Sequence, residues 1–574
     1  MNRDNRFLQR EYMKNLLPLM FSVLGGTINA LIDSLFVSSR LGSDGLAAVS
    51  ISMPVYLVLC CAGSLIASGA FLRSARAAGA ERMDRAAEIF HSGHTLLGIT
   101  GVAFTFLGAV LCGPISALLA QGGQLQPMVR AYCFVSFLGA LPTVYIYLPM
   151  FYLQLEGKRR QISRMILIMV VTDALLDALF LYPLDMGMTG AALASVLSTA
   201  LACVYGMRIL QDRSGNYPVR KPTGKLVEVR GMISAGSPTA FGNLFDAVKL
   251  LAINAIILYA AGTQMAAVWA ALNVLSEISL IIVSGVPQAA SPMIAVYSSS
   301  KENSGIRILT RMQIVTGLGM SLIYAAALLL LTKPVERMFS LQTPMFFPLL
   351  CLGISVILNL LLGIWGGVFQ ATGRIRIANF IGGLRRLIMP VLALVLVLMA
   401  DQTLWLFLPL GAILTVVLTV LAVSVISVRS DSTERPLSRI LLLDDTLERQ
   451  HKVIDFSIGA DMESACNASE QIQSFCLENN MDRKATTRMG LSIEELLGVI
   501  VQQDEKLTSV DMRAYAIDGV TGIRIRYAGD KYNPFDRIHE DEDFYMGIAM
   551  LQNLAEAVTH TYTMGTNTVN ILYR

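Results

Sequence analysis

Long apolar segments recur along residues 13–428, and they limit how this chain folds more than any other feature does. A helix needs about 20 mostly apolar residues to cross a bilayer. Segments of that kind lie near 13–38, 46–73, 90–112, 128–154, 162–182, 189–210, 234–261, 267–295, 309–331, 344–370, 377–400 and 403–428. The sequence therefore predicts an all-α polytopic membrane protein with twelve transmembrane helices.

The charge balance changes where the last apolar segment ends. Residues 1–429 carry 31 Lys and Arg against 18 Asp and Glu, whereas residues 430–574 carry 14 against 24. We therefore divide the chain into a transmembrane domain at 1–428, a linker at 429–440 and an acidic cytoplasmic domain at 441–574. The basic residues lie in alternate loops, which by the positive-inside rule places both termini in the cytoplasm.

The transmembrane domain contains an internal repeat. The segment "RLGSDGLAAVSISMPV" (40–55) follows the first span, and "AAGTQMAAVWAALNVL" (260–275) follows the seventh. Each begins with a short outer turn that contains Gly and continues into a helix of small residues. The repeats cover about 10–211 and 232–428. Each contains six spans, an even number, so the two repeats have the same orientation in the membrane and are parallel. Parallel repeats of this kind frame a central cavity in many secondary transporters.

Three carboxylates lie inside apolar segments of the first repeat. Asp33 is in the first span, and Asp173 and Asp177 are one helical turn apart in the fifth. A carboxylate at mid-bilayer costs about 2.5–3.5 kcal/mol and therefore normally faces a cavity or a partner. The two close carboxylates in the fifth span need a proton or a cation between them. A structural network of hydrogen bonds is the alternative interpretation.

The second repeat has its own polar residues within predicted spans. Asp246 and Lys249 are three residues apart, Glu277 is in the eighth span and Asn359 is in the tenth. Asp246 and Lys249 have the spacing of an ion pair on one helix face. Structural pairing and a role in a second-lobe cavity both remain open for this set.

Several motifs of the transmembrane domain resemble the multidrug and toxic compound extrusion (MATE) family. They include "INALIDSLFVSSRLGSDGLAAVSISMP", "LLDALF", "GMTGAALASVLS", "GVPQAASPMIA" and "FQATG". The resemblance implies that Asp33, Asp173, Asp177 and Ser195 bind the coupling ion, H⁺ or Na⁺, although the family commonly has Asn at the position of Asp173. It also implies that Pro18 permits bending of the first helix. No metal site beyond a Na⁺ at the three carboxylates is predicted.

The resemblance implies a cation-coupled antiporter of the bacterial-type inner (plasma) membrane rather than an enzyme. We expect it to export organic compounds, cationic or amphipathic, by alternating access, as a monomer without a cofactor. Its partners would be the substrate, the lipid bilayer and a cytoplasmic regulatory protein at the tail, with no nucleic acid. The alternatives are a lipid-linked or polysaccharide flippase and a transporter-like receptor that signals through the tail.

The tail has the alternating strands and helices of an α+β sandwich. The segments "LSIEELLGVIV" (491–501), "IRIRYAGDKYNPFD" (523–536) and "MGIAMLQNLAEAVTHTYTMGTNTVNILYR" (546–574) resemble the GHKL ATP-binding fold of anti-sigma-factor kinases. Glu494, Gly529 and Gly547 would be remnants of its nucleotide site. Gly498 replaces the Asn that the family uses to hold Mg²⁺, so we expect neither kinase activity nor ATP hydrolysis. A degenerate regulatory or protein-binding module is the favoured interpretation.

Overall fold

The fold comes from a computed structural model of the chain. It describes residues 6–120, 123–212, 215–217, 226–338, 343–428, 436–479, 482–503, 507–517, 520–538 and 545–573. Most of the predicted linker, residues 429–435, lies outside these ranges. The transmembrane domain forms an N lobe (residues 6–212) and a C lobe (residues 226–428), and the tail begins at residue 436.

The transmembrane domain consists of helices throughout its described residues. They are α1 (Arg6–Gly42), α2 (Asp44–Gly79), α3 (Met83–Ala120), α4 (Gln126–Leu138), α5 (Ala140–Leu155), α6 (Arg159–Leu181), α7 (Gly187–Leu210), α8 (Val229–Gly262), α9 (Gln264–Ser299), α10 (Asn303–Leu330), α11 (Thr332–Met338), α12 (Phe346–Ala371), α13 (Ile375–Met399) and α14 (Leu404–Ser427). Ten of these are long and apolar enough to cross a membrane, or eleven if α4 and α5, bent by 59°, form one span.

The predicted count of twelve spans is therefore not confirmed. Helix α6 occupies the place of the predicted fifth span, and it is 23 residues long. Its sequence includes Arg164, Asp173 and Asp177, so it is too rich in charge to be identified as a span by composition.

The backbone breaks at corresponding places in the two lobes. Gly42, between α1 and α2, has φ 66° and ψ −157°, and Gly262, between α8 and α9, has φ 80° and ψ −179°. Only glycine adopts such angles without strain, which explains the Gly in both outer turns. At the other end of α2 and α9, Glu81 and Lys301 both have a left-handed backbone, with φ of 62° and 55°.

Helix α1 keeps helical backbone angles through Pro18. The residue with non-helical angles is Gly42, where α1 ends. The first span is thus one helix in this conformation. The bending role that the family resemblance implies for Pro18 remains a prediction.

The lobes pack together at the end that carries the tail. Helices α2 and α8 cross so closely that a β-carbon on Gly69 would collide with the Met232 carbonyl, and one on Gly236 would collide with the Leu65 carbonyl. Small residues allow such backbone approach between membrane helices. Arg76 of the N lobe donates to the Ala371 carbonyl of the C lobe at 2.9 Å. The transmembrane domain is therefore closed on the tail side.

The tail folds into one antiparallel sheet with helices on one face. Its elements are α15 (Pro436–Ile440), α16 (Thr446–Arg449), β1 (Val453–Gly459), α17 (Met462–Glu478), α18 (Arg483–Gln503), β2 (Ser509–Ile517), β3 (Val520–Ala528), a 3₁₀ turn (Pro534–Arg537), α19 (Met546–Leu554), β4 (Ala557–Thr563) and β5 (Thr566–Tyr573). The strand order is β1-β2-β3-β5-β4. The alternation of strands and helices predicted for the tail is confirmed.

The two faces of this sheet differ in composition. Apolar residues such as Met512 and Ile525 point towards α17 and α18 and form the core of the tail. The alternate residues on the other face include Arg513, Arg524 and Arg526, yet all three are buried. Their face packs against the transmembrane domain rather than water, so both faces of the sheet are covered.

Candidate functional site

The three carboxylates predicted from the N-lobe sequence lie together. Ser195 donates from Oγ to Asp33 Oδ2 at 3.3 Å, which joins α7 to α1. Asp173 and Asp177 on α6 are close enough to Asp33 for their charges to interact. Asp173 is 1% exposed and Asp177 is fully buried. The residues that the sequence singled out in three separate helices thus form one N-lobe acidic site.

The hydrogen bonds of this site are unevenly distributed. Asp173 accepts from Asn29 Nδ2 at 2.6 Å and from Ser198 Oγ at 2.9 Å, so both of its oxygens have a donor. Neither oxygen of Asp177 accepts from an N–H or a hydroxyl among the described residues, and its neighbour Asp33 can bond to it only through a shared proton. A buried carboxylate without a donor is costly unless it takes up a proton or a cation.

Basic side chains do not neutralise the N-lobe acidic site. Within the described part of the chain, no Lys or Arg forms an ion pair with Asp33, Asp173 or Asp177. The described residues also contain no group of three His, Cys, Asp or Glu side chains placed to hold a metal ion. The N-lobe acidic site therefore has no basic counter-charge among the described residues.

Three of the four residues predicted for the second-lobe cavity line one cavity of about 110 Å³. They are Asp246, Lys249 and Asn359. Lys249 Nζ lies 2.9 Å from Asp246 Oδ1, so the predicted ion pair is present. Glu277 is exposed and does not belong to the described lining of this cavity.

Sequence reasoning missed two arginines of the same cavity. Arg386 donates to Asp246 Oδ2 at 2.6 Å, and Arg385 donates to the Asn359 carbonyl at 2.9 Å. Both belong to the π-helical segment Leu384–Ile388 within α13. The signal was available, because "GGLRRLIMP" (382–390) places two arginines inside an apolar span. In the N lobe, Asn29 and Ser198 were missed in the same way.

Comparison with known proteins identifies the transmembrane fold. Residues 18–180 match the MatE family model. A MATE transporter solved in complex with MaL6 superposes with a TM-score of 0.67 at 18% identity, covering 72% of this chain and 95% of that chain. The transmembrane domain has the MATE fold. An outward-facing MATE transporter of the MOP superfamily matches with a TM-score of 0.66 at 18% identity, over 72% of this chain and 94% of that chain.

Curated relatives of the MATE domain are membrane transporters. The multidrug export protein MepA of Staphylococcus saprophyticus is 24% identical over 396 residues, 65% of this chain and 84% of that protein. The FAD transporter of Shewanella oneidensis is 23% identical over 302 residues, 50% of this chain and 64% of that protein. Both of these relatives are named for transport.

The predicted nucleotide remnants lie at the tail's helix α19 and near its sheet. Gly529 follows β3 with φ 144°, and Glu494 is half-buried on α18. The carboxylate at the end of the exposed Glu495 side chain lies directly against Gly547, at the start of α19. Loss of nucleotide binding remains a prediction. The GHKL resemblance itself remains a prediction.

The tail is attached to both lobes of the MATE domain. Glu302, fully buried between α9 and α10 of the C lobe, accepts from Arg524 at 2.9 Å and from Arg526 at 2.6 Å. Arg524 also donates to Glu81 of the N lobe at 2.6 Å. One strand of the tail, β3, therefore links the turn after α2 to the turn after α9.

These arginines fix the ionisation of Glu302. Burial raises its pKa, but the guanidinium groups of Arg526, Arg513 and Arg524 outweigh burial and hold the pKa well below its ordinary value. The positive charge of Arg526 also lies 4.5 Å from the centre of the Tyr297 ring on α9. The contact is a cluster of buried ion pairs, which we call the β3 clamp (Glu81, Glu302, Arg524 and Arg526).

Further contacts hold the tail on each lobe separately. On the N lobe, the Met564 amide donates to the Leu155 carbonyl, and Gly565 packs directly on Gly157. On the C lobe, Arg307 forms ion pairs with Asp445 at 2.8 Å and Glu448 at 2.6 Å. The tail therefore spans the closed end of the MATE domain and contacts both lobes there.

Proposed function

We propose that this protein is an ion-coupled antiporter that exports organic compounds by alternating access. The observation that carries the proposal is Asp177, which is fully buried beside Asp33 and Asp173 with both oxygens lacking a donor among the described residues. Such a carboxylate must bind a proton or a cation to be stable in a low-dielectric interior. Reversible binding of that ion is what coupling requires.

The geometry favours H⁺ over Na⁺ as the coupling ion. A proton needs one carboxylate oxygen, whereas hard cations are bound by several oxygens at once. The two oxygens of Asp173 already accept hydrogen bonds, which leaves Asp177 and the partly bonded Asp33 as the groups that can exchange a proton. Na⁺ binding at Asp33, Asp173 and Asp177 is the competing outcome of the experiment below.

Export is supported by what relatives of the chain are described as doing. The Staphylococcus saprophyticus relative is a multidrug export protein. We propose the same activity for this chain, the export of amphipathic organic compounds. It would act as a monomer in a bacterial-type inner membrane. The flippase and receptor alternatives gain no support from these comparisons.

We also propose that the tail regulates transport as a cytoplasmic clamp. Alternating access requires the lobes to separate at the end where the substrate enters. The β3 clamp joins the two lobes at the end bearing the basic residues Arg73, Arg76 and Arg85, which the positive-inside rule assigns to the cytoplasm. With the tail docked, opening towards the cytoplasm must break buried ion pairs. A regulatory protein that captures the tail would release transport.

The experiment is transport in proteoliposomes that contain the full-length protein. An outwardly directed H⁺ gradient should drive accumulation of rhodamine 6G or fluorescein, whereas an equal Na⁺ gradient should not. Asp33→Asn should lower gradient-driven transport at least tenfold, because it cannot ionise. Asp185→Asn, which alters an exposed carboxylate of the same lobe, is the matched control and should transport normally. Unchanged transport by Asp33→Asn would overturn the mechanism.

A further inference from the structure

The charged side chains that line the C-lobe cavity are mostly positive rather than negative. The 110 Å³ cavity has Lys249, Arg385 and Arg386 among its lining residues and Asp246 as the described lining carboxylate. Asp246 is already bound to Lys249 and Arg386. Among the described residues, no carboxylate lies within ion-pairing distance of Arg385, whose recorded hydrogen bond is to the Asn359 carbonyl.

A second cavity opens on the other side of the same arginines. It has a volume of about 120 Å³, and Arg385 and Arg386 are the charged residues among its described lining. Its remaining polar groups can all donate hydrogen bonds, including the hydroxyls of Ser284, Ser291 and Thr239. Thr239 Oγ1 accepts from Gln370 at 2.9 Å.

The backbone is shaped to admit both guanidinium groups. A β-carbon on Gly242 would lie 2.6 Å from Arg386 Nη1, and one on Gly363 would lie 2.9 Å from Arg385 Nη1. A larger residue at either glycine would require the end of an arginine side chain to shift. The π-helical turn Leu384–Ile388 places two consecutive arginines at the cavities, and π-helical turns occur frequently at functional sites.

Charged side chains within a membrane domain normally face a partner or a cavity. Lys249 and Arg386 satisfy that rule through their partner Asp246. Arg385 has no carboxylate partner among the described residues and satisfies the rule only by facing the two cavities. Arginine presents a planar set of donors that matches carboxylate and phosphate groups. We propose that the C lobe binds the carboxylate or phosphate group of an organic anion at Arg385 and Arg386, with the nearby hydroxyls as further donors. This inference rests on the proposed transport function and specifies its substrate class.

The inference revises the expected charge of the substrate. The sequence suggested cationic or amphipathic compounds, because the buried charges identified there were mostly acidic. The C lobe instead offers a cationic subsite, while the N lobe holds the carboxylates that exchange the ion. An amphipathic anion fits both observations, since its apolar part can lie on the lobe interior while its charged group binds the arginines.

The test compares two dyes that share a ring system and differ in charge. Binding of fluorescein, an anion, and rhodamine 6G, a cation, is measured by fluorescence anisotropy with purified full-length protein. Wild-type protein should bind fluorescein, and Arg385→Gln and Arg386→Gln should each weaken that binding about tenfold or more, since hydrogen bonds to charged groups are strong. Arg385→Lys should retain most of it. Rhodamine 6G binding should not weaken in any of these variants.

Arg208→Gln is the matched control, because Arg208 is exposed on α7 and far in sequence from these cavities. Its fluorescein binding should equal that of the wild type. Competition then identifies the source of the anionic group, which is either inorganic phosphate or a lipid headgroup supplied as short-chain phosphatidylglycerol. If the site is real, the competitor should displace fluorescein, and this displacement should require Arg385. The inference would be overturned if Arg385→Gln bound fluorescein as tightly as the wild type does. It would also be overturned if this substitution weakened the binding of both dyes equally.

The experiment separates this inference from the proposed function. Asp33→Asn should bind fluorescein normally while failing to transport it. Arginine-dependent binding without gradient-driven transport by the wild type would reject the antiporter and keep the anion subsite. Transport of fluorescein that is equal in wild type and Arg385→Gln would reject the subsite and keep the antiporter.

Discussion

At the scale of single residues, Asp173 and Asp177 show how neighbours on one helix acquire different roles. Both are buried on α6, one turn apart, but Asp173 accepts from Asn29 and Ser198 whereas Asp177 has no donor among the described residues. A satisfied carboxylate contributes to packing, while an unsatisfied one destabilises the fold until it is neutralised. We therefore assign structural weight to Asp173 and ion exchange to Asp177.

This contrast predicts opposite effects of two substitutions on stability. Asp177→Asn removes a charge that has no partner, so the melting temperature of the purified protein should stay the same or rise, while coupled transport is lost. Asp173→Leu leaves the Asn29 amide without its acceptor, whereas Ser198 keeps the Ser195 carbonyl. The unpaired amide should cost about 1–3 kcal/mol. A lower melting temperature in Asp177→Asn than in Asp173→Leu would contradict the assignment.

The residues of the N-lobe acidic site could largely be predicted from the sequence. Asp33, Asp173 and Asp177 stand out because charge in an apolar span is rare, and Ser195 follows from the family resemblance. Asn29, Ser198, Arg385 and Arg386 were not predicted. Neutral polar residues such as Asn29 and Ser198 are common in such helices and give little signal. The direction in which two adjacent arginines point depends on a local π-helical turn, which apolar periodicity does not reveal.

At the scale of elements, β2 and β3 alternate apolar and charged residues, a pattern that usually describes a strand with one face in water. Here the charged face carries Arg513, Arg524 and Arg526 and is buried against the MATE domain. The sequence predicted each strand of the tail, but not the cover of this second face. A domain contact leaves no mark in the periodicity of a strand.

The β3 clamp predicts how firmly the tail is docked. Glu302→Gln leaves Arg526 buried beside a neutral side chain, and breaking one partner of a buried pair costs about 3–5 kcal/mol. Added protease should cleave the tail of the variant faster than the tail of the wild type. The variant should also transport substrate faster than the wild type. Glu88→Gln, which removes an exposed carboxylate paired with Arg85, is the control and should change neither rate.

The same element predicts a weak pH dependence of docking. The folded pKa of Glu302 lies below its ordinary value, so its ionic contribution is fully present above that ordinary value and is lost only as pH falls through the lowered pKa. Protease accessibility of the tail should therefore stay constant from about pH 8 to pH 5. Release of the tail within that window would show that another group controls docking.

At the scale of the whole molecule, the tail contacts both lobes at the end where they are already closed. Arg524 accounts for this link, since it contacts Glu81 of one lobe and Glu302 of the other. Residues that share a partner are expected to be energetically coupled. The lobes and the tail should accordingly respond to mutation as one unit.

A double-mutant cycle tests this coupling. The effects of Glu81→Gln and Glu302→Gln on tail release should not add, and the interaction energy should be about 0.5–3 kcal/mol. Glu88→Gln combined with Glu302→Gln supplies the reference pair, for which additivity is expected. Additive effects in the first pair would mean that the lobes hold the tail independently.

The π-helical turn of α13 has one further consequence for this molecule. A turn closed by i→i+5 bonds holds one residue more than an α-helical turn, so deletion of a single residue between Leu384 and Ile388 would restore regular geometry and leave the helix on either side facing as before. If the deleted residue is Arg385, only one arginine remains at the cavities. A change of one codon could thus alter which solutes the carrier accepts and leave its driving force intact.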